Sequence, residues 1–200
     1  MTLSDFFLEG GFVMTPVLLF GLAACAGLRA WLPLLLAGLL ARAGILELGP
    51  SFHFIASTQA LILFGVATLV EMIGDKVPAV DHTLDVLSTV LRPAAGSLLV
   101  ASVMWRIHDP LTALALGVAV GAPTSLVPHA AKSALRAAST AFTGGLANPV
   151  LSLVEDLAAV LLFVFSVVVP VAVAVTILVV AVLVLRRLAR RRLQSTVPVT

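Results

Sequence analysis

Long apolar runs with few charges inside them divide the chain. Residues 12–46 contain two charges, residues 59–70 contain none, and residues 150–185 contain two. At 1.5 Å per residue, the first run would form about 50 Å of helix, too long for one crossing of a hydrocarbon core about 30 Å thick. Outer-membrane barrels instead alternate apolar and polar residues in short strands. The pattern predicts an all-α fold, a polytopic bundle of transmembrane helices.

The first and last of these runs contain internal breakers. Residues 27–30, followed by Pro33 in what would be the first turn of a new helix, predict that residues 12–46 fold back as two helices. Pro170 lies near the middle of residues 150–185 and predicts two spans joined tightly there. A single kinked helix that starts after Asp156 is the alternative.

Glycine and proline also punctuate the middle of the chain. The predicted interruptions are a loop over residues 48–57, a break at Arg92-Pro93, a kinked region at Pro123 and Pro128, and a second strong break over residues 144–149. Helices are predicted over residues 59–74 and over residues 83–90. The expected architecture is therefore a bundle of Gly/Pro-broken helices.

The chain divides into four predicted segments. They are an N-terminal interfacial segment (1–11), a first membrane half (12–110), a second membrane half (111–187) and a basic cytoplasmic tail (188–200). The halves share an order of parts, since Gly21 and Glu71 in the first correspond to Gly117 and Glu155 in the second. A true internal two-fold repeat and chance similarity among common apolar residues both remain open. Repeated halves with interrupted helices are one way in which transporters build a midplane site.

Composition supports a membrane protein and suggests its orientation. Apolar residues make up 60% of the chain, charged residues 11%, and the mean hydropathy is +1.16, far from the globular norm. Five of the twelve basic residues form one C-terminal cluster: Arg186, Arg187, Arg190, Arg191 and Arg192. The positive-inside rule predicts that this end is cytoplasmic in a multi-pass protein of the cell membrane, with anionic lipid as a secondary partner. Nucleic acid is not expected as a partner, because no aromatic binding pattern accompanies the cluster.

The most polar stretch, residues 71–85, carries the candidate chemistry of the first half. Glu71 and Asp75 are four apart and share a helical face, as do Asp81 and Asp85. Repulsion between like charges would favour proton exchange near neutral pH, whereas Lys76 or Arg29 could instead neutralise the acids. Charge inside hydrocarbon is expensive and is a functional candidate by default.

The second half offers a matching set. His129 and Lys132 follow Pro128 and could meet Glu155 and Asp156 across the bundle, although Lys132 and Arg136 could equally face solvent. The predicted ion- or substrate-binding residues are Arg29, Glu71, Asp75, Lys76, Asp81, His82, Asp85, His129, Lys132, Asn148, Glu155 and Asp156.

Other classes of site find little support in the sequence. It contains no nucleophile elbow, phosphate loop, zincin helix or dinucleotide fingerprint, so no enzyme and no cofactor are predicted. A metal site at Asp81, His82 and Asp85 is disfavoured, because one histidine among acids at helical spacing is common without metal. Cys25 is the only cysteine and can form no intrachain disulfide.

Three stretches together resemble one bacterial family. Residues 26–34 (AGLRAWLPL), residues 71–82 (EMIGDKVPAVDH) and residues 143–149 (TGGLANP), followed by Glu155 and Asp156, are similar to the integral membrane family of domain of unknown function 4126. The resemblance covers roughly residues 15 to 187. It implies a polytopic bacterial membrane protein and carries no activity with it.

The function expected from these features is that of a small transporter or channel, in which intramembrane acids and bases line a site for an ion or small solute. The alternatives are a noncatalytic membrane scaffold that organises lipid or partners, and a lipid scramblase or flippase. A chain of 20.7 kDa offers few helices to enclose a pathway, so a homodimer is expected.

Overall fold

The computed structural model describes residues 11–76 and 78–194, with side chains over residues 16–76 and 87–169 and at scattered positions beyond. Every regular element in this part of the chain is helical, as the apolar runs predicted. The α-helices are α1 (Gly11–Leu28), α2 (Leu32–Arg42), α3 (Thr58–Gly74), α4 (Pro78–Val103), α5 (Pro110–Thr143) and α6 (Asn148–Gln194), and a 3-10 helix (Pro50–Ala56) precedes α3. The predicted interfacial segment at residues 1–10 lies outside the described residues.

The chain leaves helical geometry between α1 and α2, where the sequence predicted a break. α1 ends at Leu28, α2 begins at Leu32, and Pro33 lies in its first turn. Leu48 to Ser57 was expected to be an irregular loop, and this is wrong, because residues 50–56 form the 3-10 helix. Its Phe52 and Ile55 side chains are buried and attach this segment to the core.

The break predicted at Arg92-Pro93 is wrong, because Pro93 lies inside α4. Pro123 and Pro128 lie inside α5, and the kink expected there stays a prediction. α6 remains helical through Pro170, so the preferred pair of spans joined there is wrong; the chain forms one long helix, as in the alternative, but this helix starts at Asn148 rather than after Asp156. An interior proline removes one hydrogen bond and bends a helix, but neighbouring turns can continue when packing holds them.

The break predicted over residues 144–149 does occur, because a turn separates α5 from α6. Gly144 and Gly145 have φ angles of 62° and 87°, in the left-handed region that favours glycine. A left-handed glycine after the last helical residue is the usual way to end a helix. Asn148 then begins α6, whose helix continues to Gln194 and so into the segment predicted as the basic tail.

α1 lies at the centre of the bundle and packs against α4, α5 and α6. Its fully buried side chains include Leu22, Ala23, Cys25 and Ala26. α3 is peripheral: it packs most closely against α2 and more lightly against both the 3-10 helix and α4. Trp31 and Phe64 stack at 6.1 Å between ring centroids to join α2 and α3. α3 leaves six large apolar side chains exposed: Ile62, Leu63, Val66, Leu69, Val70 and Ile73.

A groove separates α3 from α4. It has a volume of about 190 Å³, and its walls are apolar except for Glu71 and Ser88. Trp31 of the α1–α2 link and Leu91 of α4 also line it. The groove therefore lies between α3, α4 and the α1–α2 link.

α4 and α5 form the closest helix pair. A Cβ atom on Gly121 would lie 2.4 Å from the carbonyl oxygen of Gly96, and one on Gly117 would lie 2.4 Å from that of Ser97. These glycines let the two backbones touch, as small residues do in membrane bundles. α4 and α5 therefore form a closely packed helix pair beside α1.

Two helices in the described part of the chain are long and apolar enough to cross a membrane: Pro110–Thr143, and Asn148–Val169 within α6. Pro50–Ala56 and Thr58–Gly74, which meet at an angle of 58°, would give a third if they form one bent span. These lengths and compositions are consistent with a membrane protein.

Asp109 caps the N-terminus of α5 and gives a first testable prediction. Its Oδ2 accepts hydrogen bonds from the Thr112 amide, at 2.8 Å, and from the Thr112 hydroxyl. These bonds favour the ionised carboxyl and lower the pKa of Asp109 below its ordinary value. Because the folded-state pKa is lowered, the stabilisation is present above the unfolded pKa of about 3.9 and is lost as pH falls through the folded pKa.

We therefore expect Asp109→Ala to lower the unfolding temperature at neutral pH, and the gap from the wild type to narrow in acid. Thermal unfolding in detergent at a series of pH values measures both. A gap that stays constant down to pH values below the folded pKa would show that the cap does not depend on the charge.

Candidate functional site

Two buried side chains satisfy the backbone groups that the break between α1 and α2 leaves open. The Glu71 carboxylate accepts hydrogen bonds from the backbone amides of Ala30, at 3.1 Å, and Trp31, at 3.4 Å. Arg92 donates from Nη1 to the carbonyl oxygen of Gly27, at 3.2 Å, in the last turn of α1. An acid thus faces the positive end of α2 and a base faces the negative end of α1. We call Glu71 and Arg92 the capping pair; their side chains also meet, with Arg92 Nη2 3.6 Å from Glu71 Oε1.

His129 on α5 extends the capping pair. Arg92 Nη1 lies 2.9 Å from His129 Nδ1, and Thr89 Oγ1 lies 3.3 Å from His129 Nε2. Arginine can only donate, so Nδ1 must be the accepting nitrogen and Nε2 carries the proton. His129 is therefore neutral in this arrangement and faces arginine, rather than the acids of α6 that the sequence suggested.

Asp75 lies at the centre of a second group of charges, one helical turn beyond Glu71. One of its oxygens, Oδ2, contacts three cations: Lys132 Nζ at 2.9 Å, Arg136 Nη2 at 3.1 Å, and Arg29 Nη1. The Asp75 side chain is 2% exposed, the Lys132 side chain 1% and the Arg29 side chain 0%. Asp75 directly follows α3, so this one carboxylate ties α3 to α5 and to the link between α1 and α2.

Glu155 on α6 holds the same two cations of α5 from the other side. Its Oε2 lies 2.9 Å from Lys132 Nζ and 2.9 Å from Arg136 Nη2, while Oε1 accepts from Arg136 Nε at 3.2 Å. The paired contacts to Arg136 have the forked geometry that strengthens arginine–carboxylate bonds. The predicted meeting of Lys132 with Glu155 across the bundle is confirmed.

Asp156 and Ser152 complete the arrangement on α6. Arg29 Nη2 donates to Ser152 Oγ, at 3.0 Å, and forms an ion pair with Asp156 Oδ1. Asp156 Oδ2 lies 3.8 Å from Lys76 Nζ, whose side chain is 37% exposed. Neither oxygen of Asp156 has a hydrogen-bond partner among the described residues. Asp156 therefore lies at the edge of the cluster, on the side where Lys76 reaches the surface.

The charges in this region are paired. We call the six residues Arg29, Asp75, Lys132, Arg136, Glu155 and Asp156 the central cluster; they supply three bases and three acids, and Lys76 at its edge is a fourth base within 3.8 Å of Asp156. The capping pair adds one base and one acid among the described side chains. Pairing avoids the several kcal/mol that an uncompensated buried charge would cost.

The structure brings together most of the predicted site residues but changes their partners. Arg29 was expected to neutralise the acids Glu71 and Asp75; it does pair with Asp75, and its second ion-pair partner is Asp156 rather than Glu71. Asn148 is not part of the cluster, because its Nδ2 contacts Thr140 Oγ1 at 3.3 Å in the α5–α6 turn.

Part of the predicted acidic stretch cannot be placed. Asp81, His82 and Asp85 belong to α4, and their side chains lie outside the described part of the structure. Among the residues it does describe, no group of three or more histidine, cysteine, aspartate or glutamate side chains could hold a metal ion.

Two members of the site were missed from the sequence. Arg136 lies four residues after Lys132 and seven after His129, so helical spacing alone places it on the same face. Arg92 was read as part of a helix interruption at Pro93, and this hid its position on a continuous helix. The sequence did show an arginine in an otherwise apolar stretch, which marks a candidate functional residue. The structure buries this arginine fully.

Comparison with known proteins gives a family for most of the chain. Residues 17–190 match the family model described as Domain of unknown function (DUF4126). No curated protein matches the chain. No solved structure matches it. The matched range includes the α1–α2 break, the capping pair and every residue of the central cluster, so the chain belongs to the DUF4126 family.

Proposed function

We propose that this protein is a small transporter or channel of the cell membrane that moves an ion or small solute past the central cluster. One observation carries the proposal: six charged side chains from α5, α6 and the segments beside α1 and α3 converge in the interior of a bundle that is otherwise apolar. Stability alone gives little reason to keep such a group, because apolar side chains of similar volume are often as stabilising as a buried ion-pair network. Intramembrane charge of this kind marks ion paths and proton relays in many membrane proteins.

The depth of the central cluster supports this proposal. Lys132 and Arg136 lie eleven and seven residues before the end of α5 at Thr143, or about 16 and 10 Å along the helix axis. Glu155 and Asp156 lie seven and eight residues after the start of α6, or about 10 and 12 Å along it. If the α5–α6 turn is at the membrane surface, the cluster lies a third to half of the way through a core about 30 Å thick.

The break between α1 and α2 also supports the proposed transport function. Transporters commonly place their binding sites where helices are interrupted and helix ends point inward. Here Arg29 lies within the break and donates into the central cluster. The shared Asp75 oxygen also allows partner exchange, because any one of its three cations can leave while two remain.

The orientation and assembly follow from charge and exposed surface. The C-terminal arginine cluster favours a cytoplasmic C-terminus in the cytoplasmic membrane. The exposed apolar face of α3 would lie against lipid or against a second copy, and we propose a homodimer through such a face.

A lipid scramblase is a second candidate, favoured by the groove between α3 and α4. The groove has mostly apolar walls, which suit an acyl chain, and two polar lining residues, Glu71 and Ser88, which could contact a headgroup. A scaffold is favoured instead if the capping pair and central cluster serve only folding.

Reconstitution in vesicles tests the proposal. We expect Asp75→Asn to abolish ion or proton flux, while Asp109→Asn, the same exchange at an exposed cap, leaves flux unchanged. Entrapped dyes for protons and potassium report flux, labelled lipid reports scrambling, and size-exclusion chromatography verifies that each variant is folded. Lipid exchange without ion flux would favour the scramblase. Folded protein with neither activity would leave the scaffold.

A further inference from the structure

The groove between α3, α4 and the α1–α2 link has a buried floor and an exposed rim. Among its lining residues, Ala30 and Ser88 are 2% and 6% exposed, whereas Leu63, Val66 and Val70 are more than half exposed. The groove is therefore a cleft that opens from the interior of the bundle onto the outer surface of α3.

The dimensions of the groove match one lipid chain. Leu63 and Glu71, the first and last residues of α3 that line it, are eight residues apart, or about 12 Å along the helix. One leaflet of a hydrocarbon core about 30 Å thick is about 15 Å deep. A volume of about 190 Å³ has no room for a helix, which is about 10 Å across with its side chains. A second copy could therefore cover the groove with a helix but could not fill it.

Water is a poor occupant for this groove. An ordered water needs about two to four polar partners, and the described lining offers the side chains of Glu71 and Ser88. The Glu71 carboxylate already accepts hydrogen bonds from the Ala30 and Trp31 amides and pairs with Arg92. A hydrocarbon chain would instead form the dispersion contacts that an unfilled apolar groove lacks.

The rim of the groove is continuous with the surface that would face lipid. Leu63, Val66 and Val70 belong both to the groove and to the exposed apolar surface of α3. α3 and the preceding 3-10 helix together are long and apolar enough to form one bent membrane span. In a bilayer, this surface contacts lipid chains, so hydrocarbon is the medium at the mouth of the groove. The continuity of the two surfaces identifies the occupant.

We infer that one acyl chain of a membrane phospholipid lies in this groove, in contact with Trp31 and Leu91, as a resident part of the fold. The small side chain of Ala67 on α3 leaves space for it. The inference concerns binding alone, so it applies equally to a transporter, a scramblase or a scaffold.

Trp31 is a built-in reporter for the groove. The chain contains two tryptophans, Trp31 and Trp105, so Trp105→Phe leaves the emission of Trp31 alone. The full chain with this exchange is purified in a steroid-based detergent, whose rigid tail cannot enter the groove as a flexible chain does. It is then titrated with phosphatidylcholine that carries bromine in the middle of its acyl chains, because bromine quenches tryptophan at contact. We expect the emission to fall to a plateau at one lipid per chain, and unbrominated phosphatidylcholine to restore it.

Ala67→Leu, added to Trp105→Phe, fills the groove from within. A lipid chain beside the new side chain would overpack the groove, so we expect the affinity for the brominated lipid to fall roughly tenfold. Gly65→Leu in the same background is the matched control. Gly65 also lies on α3, does not line the groove, and a Cβ atom there would meet nothing within 4 Å. We expect this variant to bind the lipid as tightly as the background, and size-exclusion chromatography verifies that each variant is folded.

Native mass spectrometry of the unaltered chain, purified in the same detergent, gives a readout that needs no variant. We expect one phospholipid to be retained per chain, and its absence would overturn the inference. Quenching without a plateau, no quenching, or equal affinity in the Ala67→Leu variant would also overturn it. If Trp31 is not quenched and chains with Ala67→Cys form disulfides between copies, a second copy covers the groove and the inference falls. None of these outcomes bears on ion flux, so the transport proposal is tested separately.

Discussion

Asp75→Ala is expected to lower the free energy of unfolding by roughly 3–5 kcal/mol, the usual cost of removing one partner from a buried charge network. The substitution removes the atom that Arg29, Lys132 and Arg136 share and leaves three bases in the central cluster against two acids. For a chain of this size, the loss corresponds to a fall in Tm of roughly 6–20 °C. Thermal unfolding in detergent, followed by circular dichroism, measures it.

Two further variants decide whether the cause is the unbalanced charge. Glu47→Ala removes an exposed acid outside the cluster and is expected to change stability by less than about 0.5 kcal/mol. Adding Lys132→Met to Asp75→Ala removes one surplus cation, so the double variant is expected to be more stable than the sum of the single losses implies. If the stability losses of the two single variants simply add in the double variant, the unbalanced charge is not the cause of the destabilisation.

Gly121→Ala is expected to destabilise the bundle by about 1–3 kcal/mol through overpacking between α4 and α5. The new Cβ would lie 2.4 Å from the Gly96 carbonyl oxygen and 2.7 Å from the Ser97 amide nitrogen. Both are backbone atoms, which cannot rotate away as a flexible side chain would. The helices must therefore separate, and this would also disturb the contacts of Lys132 and Arg136 further along α5. Thermal unfolding measures the loss, and ion flux in reconstituted vesicles measures the effect on the site.

Gly65→Ala is the matched control. Gly65 lies within α3, and a Cβ atom there would meet nothing within 4 Å. Since alanine favours helix over glycine by about 1 kcal/mol, this exchange is expected to stabilise the protein slightly. Equal effects at the two positions would mean that the close approach of α4 and α5 carries no energetic weight.

The helical class could be predicted because its cause is local. Apolar runs of this length can only be helices or closed barrels in lipid, and the runs do not alternate. The helix boundaries at proline were harder to predict than the helical class, because they depend on tertiary packing. Pro93 and Pro170 sit inside continuous helices, and nothing in the sequence near them says whether neighbours will hold the chain straight.

The members of the site could be predicted better than their pairing. Lys132 and Glu155 were matched correctly, since each is a charge on an apolar helix and few alternatives existed. Arg29 was named as a base for Asp75, and the structure shows this pair. The pairing of Glu71 with Arg92 was not predicted, because helix rotation and the course of the α1–α2 break decide which acid meets which base. The expected repulsion between Glu71 and Asp75 is relieved by separate sets of cations on α4 and α5, which lie far away in sequence.

The anchoring of α3 has a mechanical consequence. Two carboxylates spaced one helical turn apart hold its C-terminal end: Glu71 accepts hydrogen bonds from the amides of the α1–α2 break, and Asp75 pairs with three bases. A rotation of α3 about its own axis would therefore break both sets of contacts together.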